Sequence, residues 1–227
     1  PIAPSLSLAY PAAMNKLTEA ELRRLLDAAV EVTRAAAVPV MQLFRHQPVT
    51  WSKDEDGNKT LVEAGSGRVK NPVTEADLAA DRLLREGLLP LLKGCAWLSE
   101  ESVDDPSRFD AERVWIVDPI DGTREYVNGV AEFAISVALV EASVPVLAVL
   151  YNPAEDILFT AIRGLGCWRN GVSCSISSVP TLGEATLLAS RTETGRGEFS
   201  VFSDRMRIRS LGSTAWKLAL VAGGEAQ

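Results

Sequence analysis

An apolar run, Val114-Trp115-Ile116-Val117, leads without a break into Asp118-Pro119-Ile120-Asp121-Gly122-Thr123, and no other stretch of the chain is as restrictive. The apolar run reads as a buried strand that delivers Asp118 at its exposed end. Pro119 is expected to force a turn, and Asp121 then falls three residues on, where a helix would start. Two carboxylates placed this way converge on one point, with the Ile120 carbonyl between them as a third oxygen. Hard oxygen donors suit magnesium better than zinc. Gly122 and Thr123 would add free backbone N–H groups at a helix N-terminus, an anion site fitted to a phosphate oxygen. An N-capping aspartate would explain Asp121 alone and leaves Asp118 without a reason.

Two more acidic positions are ambiguous by local spacing. Ser99-Glu100-Glu101-Ser102 follows the short apolar run Ala96-Trp97-Leu98 and equally suits an acidic surface turn. Asp77 stands third after Thr74, where a carboxylate caps a helix and meets its dipole favourably.

Around these points the chain reads as α+β. Thr18-Glu19-Ala20-Glu21 is a capping box opening a helix to about Phe44, with Leu22, Leu25, Leu26 and Ala29 on one face and a kink expected at Pro39. The polar, glycine-bearing stretch 51–70, with Gly65-Ser66-Gly67-Arg68 near its end, is long for a connection and predicts a mobile flap or a loose hairpin. A second helix from Thr74 should bury Leu78, Leu83, Leu84 and Leu88. Strands are predicted over Phe133–Val140, Val144–Tyr151 and Ile157–Ala161, and Asn170-Gly171 signals a hairpin. A last helix, Ser213–Ala222, should pack Trp216, Leu218, Ala219 and Val221 inward. Residues 1–13 read as a flexible leader, with Met14 a natural start. Helices first and mixed elements after suggest layers of helix and sheet.

Composition narrows the function. The net charge of −7 disfavours binding a nucleic-acid polymer, so an anionic substrate needs a local reversal of sign, and bound cations would supply it. The single histidine, His46, beside a helix end, removes His-ligated zinc clusters and any Ser-His-Asp scheme built elsewhere. Cys95, Cys167 and Cys174 lack metal-site spacing and read as reduced thiols of a cytoplasmic protein. No apolar run has the length of a membrane span.

Val73-Thr74-Glu75-Ala76-Asp77, Ser99-Glu100-Glu101-Ser102 and Asp118-Pro119-Ile120-Asp121-Gly122-Thr123, in this order and at these separations, resemble the inositol monophosphatase family from about Met14 to the end. Arg124-Glu125-Tyr126 and Gly212-Ser213-Thr214-Ala215-Trp216-Lys217-Leu218 are similar to the CysQ-type 3′(2′),5′-bisphosphate nucleotidase branch. The resemblance implies a layered α-β-α-β-α sandwich of the inositol monophosphatase and fructose-1,6-bisphosphatase type. Its N-terminal half would span about 14–140 and its C-terminal half about 141–227. It implies two or three Mg2+ ions held by Glu100, Asp118, the Ile120 carbonyl and Asp121, and a water oriented by Asp77 and Thr123. Gly122, Thr123, Ser213 and Lys217 would bind substrate, although Lys217 also suits a solvated helix lysine. Glu125 would touch substrate or favour its helix terminus.

The implied reaction is conversion of adenosine 3′,5′-bisphosphate to AMP and phosphate, in support of sulfur assimilation, by a monomer or homodimer in the cytoplasm. An inositol- or sugar-phosphate phosphatase and a phosphate-binding module without turnover are the alternatives. Members of the family continue past the segment matching Val221–Gln227 into a Trp-Asp motif that binds the second metal. The resemblance therefore predicts a C-terminally incomplete fold with weak magnesium binding.

Overall fold

The computed structural model describes residues 16–62, 69–178 and 181–227. The expected leader, Met14 and the segment Gly65–Arg68 lie outside the described residues.

The first helix, α1, runs Glu19–Leu43 behind the expected capping box, with Leu22, Leu25 and Ala29 buried and Pro39 inside it. The stretch expected as a flap or a loose hairpin contains a hairpin: strands β1 (Thr50–Lys53) and β2 (Lys59–Leu61) pair, and with β3 (Pro72–Thr74) they form a small antiparallel sheet ordered β2-β1-β3. Helix α2, Glu75–Leu88, follows directly, capped by Thr74. Its buried side is Ala76, Asp77, Ala80, Leu84 and Leu88, while Leu78 and Leu83 are only half-buried. The correction comes from the helix partner. Small residues let α1 approach closely, and a Cβ on Gly87 would meet the Val32 side chain at 2.6 Å.

Seven strands build the main sheet: β4 (Ala96–Ser99), β5 (Arg113–Asp121), β6 (Ala134–Glu141), β7 (Val144–Asn152), β8 (Ile157–Ile162), β9 (Gly166–Arg169) and β10 (Val172–Cys174). Their order is β10-β9-β8-β7-β6-β5-β4. Every pairing is antiparallel except β4 with β5. A division at 140/141 falls in the β6–β7 hairpin, so this one sheet crosses it.

The helix pair covers one face, burying Leu84, Trp115, Val117, Ile135, Leu139 and their neighbours. Between β5 and β6 lies the short helix α3, Thr123–Val127. Beyond the main sheet come β11 (Thr186–Ser190), the short helix α4 (Arg191–Gly195), β12 (Arg207–Leu211) and helix α5 (Thr214–Ala222). Strands β11 and β12 form a parallel pair. On the second face of the main sheet, Trp216 and Leu220 of α5 pack with Ala134, Phe159 and Leu211. Leu218, expected inside, is 66% exposed, because its position on α5 faces away from this cluster. The result is the expected layered α+β arrangement.

Candidate active site

Because β4 and β5 are parallel and in register, with Ser99 opposite Val117, the carboxyl end of β4 lies alongside β5 just before Asp118. The residue after β4, Glu100, therefore comes to stand beside Asp118. Glu100 donates its N–H to the Val117 carbonyl at 3.4 Å. The segment after Val117 differs from expectation. Pro119 does not turn the chain; the strand continues to Asp121, with one extra residue bulged out between the pairs Asp118–Ser136 and Asp121–Ala134. Such a bulge re-aims side chains without breaking the sheet. It lets Asp118 and Asp121 line one cavity, which alternation along a regular strand would not do from positions three apart.

Gly122 then has φ +99, and a Cβ there would lie 2.9 Å from the Glu132 carbonyl oxygen. Only glycine makes this left-handed exit from strand to α3 at such close quarters. The Tyr126 hydroxyl of α3 donates to the Val40 carbonyl at 2.7 Å, and its ring packs with Phe44 and Phe133. An aromatic cluster thus supports the site from behind.

Glu100, Asp118, Ile120, Asp121, Gly122, Thr123, Ser213 and Lys217 all line a cavity of about 700 Å3. Asp77 is not in its lining and is 2% exposed. It reaches the site through Thr123, whose hydroxyl stands 3.2 Å from Asp77 Oδ1 and 2.9 Å from the Ile120 carbonyl, a choice of two acceptors for one hydrogen. The other Asp77 oxygen accepts from the Thr74 N–H at 2.7 Å and the Thr74 hydroxyl at 2.6 Å. The capping geometry and the approach to Thr123 coexist in one side chain.

Burial pushes the Asp77 carboxyl up to about 7, with the Glu101 charge adding to the effect. Burial, then the charges of Glu100, Asp121 and Asp77, hold Asp118 well above the usual carboxylate range. Among the described residues, no three His, Cys, Asp or Glu side chains are close enough together to grip a metal as they stand. Even so, the donor chemistry fits a hard divalent cation. The lining carboxylates are all oxygen donors, and their mutual repulsion at Asp118 is the cost a cation would remove.

Some contacts were not legible in the sequence. Glu101, adjacent to Glu100, is drawn inward by Lys53 at 2.9 Å and Lys59 at 3.1 Å, and its side chain is 4% exposed. Glu100 remains 59% exposed on the cavity side. Asp81, one turn beyond Asp77, accepts from the Ser99 hydroxyl at 2.5 Å and the Ser102 hydroxyl at 2.7 Å, fixing the acidic turn. Its spacing to Asp77 on the helix was the available signal.

Ser213 does not stand as a free substrate contact. Its hydroxyl donates to Asp121 Oδ2 at 2.5 Å and accepts from the Trp216 N–H at 3.0 Å, so it caps α5 and holds Asp121 in place. Lys217 lines the cavity, and its ammonium lies 3.5 Å from the Leu211 carbonyl.

A second cavity of about 770 Å3 adjoins the first and shares Pro72, Arg124, Glu125, Arg191 and Thr192 with it. Arg191 is paired with Glu132 and Arg196 with Glu198. Arg124 has no acidic partner among the described residues; it donates to the Thr192 hydroxyl at 3.3 Å, and its Nε is buried without an acceptor.

The model of the inositol monophosphatase family matches residues 21–227. The inositol-1-monophosphatase of Rhizobium meliloti (strain 1021) is 36% identical over 160 residues, 67% of this chain and 60% of that protein. The 3′(2′),5′-bisphosphate nucleotidase CysQ of Escherichia coli (strain K12) is 29% identical over 212 residues, 89% of this chain and 78% of that protein. Among solved structures, the Thermotoga maritima IMPase superposes with a TM-score of 0.75 at 27% identity, covering 88% of this chain and 73% of that one. The CysQ structure from Bacteroides thetaiotaomicron, 24% identical with a TM-score of 0.67, shares the fold.

Proposed function

The chain belongs to the inositol monophosphatase family, and from that premise we propose that it is a magnesium-dependent phosphatase converting adenosine 3′,5′-bisphosphate to AMP and phosphate. Arg124 carries the substrate half of this reading. A guanidinium that lines both cavities and has no acidic partner among the described residues calls for an anion. It lies where the two cavities meet, beside the residues proposed to hold the scissile phosphate. A second phosphate on the substrate meets that need, whereas an inositol monophosphate has no second anion to offer. The similarity to CysQ over most of this chain supports the same reading.

Glu100, Asp118, Asp121 and the Ile120 carbonyl would hold the magnesium, which supplies water activation and charge neutralisation when bound. Gly122 and Thr123 offer backbone N–H groups to the phosphate oxygens. With its hydrogen turned to Asp77 Oδ1, the Thr123 hydroxyl oxygen is an acceptor that orients a water in the cavity. Asp77, poised near neutrality, can take up a proton through Thr123. Ser213 keeps Asp121 aimed.

The test is phosphate release from adenosine 3′,5′-bisphosphate and from inositol 1-phosphate, with magnesium and with chelator. The bisphosphate should have the higher kcat/KM. Arg124→Ala should lower that value by about 10–100-fold, the scale of a lost charge-assisted contact, and leave inositol 1-phosphate turnover unchanged. A higher kcat/KM for inositol 1-phosphate would favour the second reading, which the Rhizobium relative supports. Phosphate binding without release would indicate a module that has lost turnover.

A further inference from the structure

Strands β9 and β10 form one edge of the main sheet, far in strand order from β4 and β5. They are joined by Asn170 and Gly171, with φ +47 and +78, a tight turn that leaves the register no freedom to slip. That register puts Cys167 directly opposite Cys174. Directly opposed residues of an antiparallel pair have Cα atoms about 4.5 or 5.5 Å apart, and both separations suit a disulfide. The two sulfurs lie 3.0 Å apart, both thiols free and half-buried. Cys95 sits just before β4, at the opposite edge.

We propose that Cys167 and Cys174 are a redox site, a dithiol that hydrogen peroxide converts to an intramolecular disulfide. One sulfur attacks the peroxide, breaking the O–O bond and becoming a sulfenic acid as water leaves. The second sulfur then displaces the hydroxyl of that sulfenic acid, the S–S bond forms, and the two thiol protons leave in the two waters. Two electrons pass from the sulfurs to the peroxide oxygens. Burial and the hydrogen bond to Cys167 hold the Cys174 thiol well above its ordinary value, so Cys174 suits the second, resolving role.

The cross-link would clamp the ladder against which the C-terminal residues rest. Arg169 on β9 pairs with Glu225, and Gln227 donates to the Ser177 hydroxyl just beyond β10. The Cys167 sulfur itself lies 3.9 Å from the Ala222 carbonyl at the end of α5. The oxidised hairpin should therefore melt later together with these contacts.

Arg169 lies between the two cysteines, so trypsin separates them and makes the bond directly readable. The intact chain is treated with hydrogen peroxide, alkylated and digested. The expected product is Gly164–Arg169 joined to Asn170–Arg191, about 2 Da lighter than the two thiol peptides together, and parted by dithiothreitol. The three free thiols should fall by two. The Cys95→Ser chain should give the same linked product, and Cys174→Ser should stop at a dimedone-reactive sulfenic acid on Cys167. Recovery of both peptides singly alkylated, over-oxidation of either to sulfinic acid, or a link to Cys95 would each overturn the assignment.

Discussion

A carboxyl group that titrates near neutrality can cap a helix and also receive a proton, and Asp77 is placed for both. Helix capping alone explains its Oδ2 contacts with Thr74, but not the approach of Oδ1 to Thr123. Asp77→Asn keeps the shape and the acceptor toward Thr74 while removing the titratable oxygen. Turnover should fall by about 10²-fold or more, with stability changed by less than about 1 kcal/mol. Wild-type turnover in a stable variant would reduce Asp77 to a cap. At this scale the sequence was informative about which residue types matter and silent on which oxygen faces which neighbour. Glu100 and Glu101 illustrate the gap. They are adjacent and chemically alike, yet Lys53 and Lys59, more than forty positions earlier, bury one and leave the other at the cavity.

Element boundaries followed local chemistry where that chemistry is strong. The Thr18 and Thr74 caps and the Asn170-Gly171 turn could be read directly, because each meets a short-range backbone need. Ala142-Ser143 joins β6 to β7 with φ +48 and +63, a left-handed two-residue turn without the usual turn residues. The long flanking strands hold it, so only they were legible beforehand. Ser143→Gly should relieve the strain and stabilise the protein by about 1 kcal/mol, measured by urea unfolding. A loss of stability would mean that the Ser143 side chain contributes more than its backbone conformation costs. Strand alternation likewise could not announce the bulge at Asp118–Asp121, since the extra residue is defined only against β6.

Across the whole molecule, the acidic site links stability to pH and to magnesium. Asp77 ionises near 3.8 in an unfolded chain and near 7 when folded, so the folded state holds the extra proton between those values. The stability this group contributes is complete below about pH 4 and is lost as pH rises through about 7, and Asp118 acts in the same direction. Chelator-treated protein should therefore melt at lower temperature at about pH 8 than at about pH 5, and magnesium should raise Tm more at the higher pH. An equal magnesium shift at both values would refute the carboxylate donor set. Among the described residues no helix is long and apolar enough to cross a membrane. The sequence by itself determined the family and the layered class, because cap, strand and motif signals are local and combine in order along the chain. Tertiary structure alone decided that parallel pairing sets Glu100 beside Asp118, that Ser213 holds Asp121, that Arg124 has no acidic partner among the described residues, and that two cysteines meet across a hairpin. Each of those depends on which strand or helix lies alongside, a relation between distant segments that no local pattern encodes.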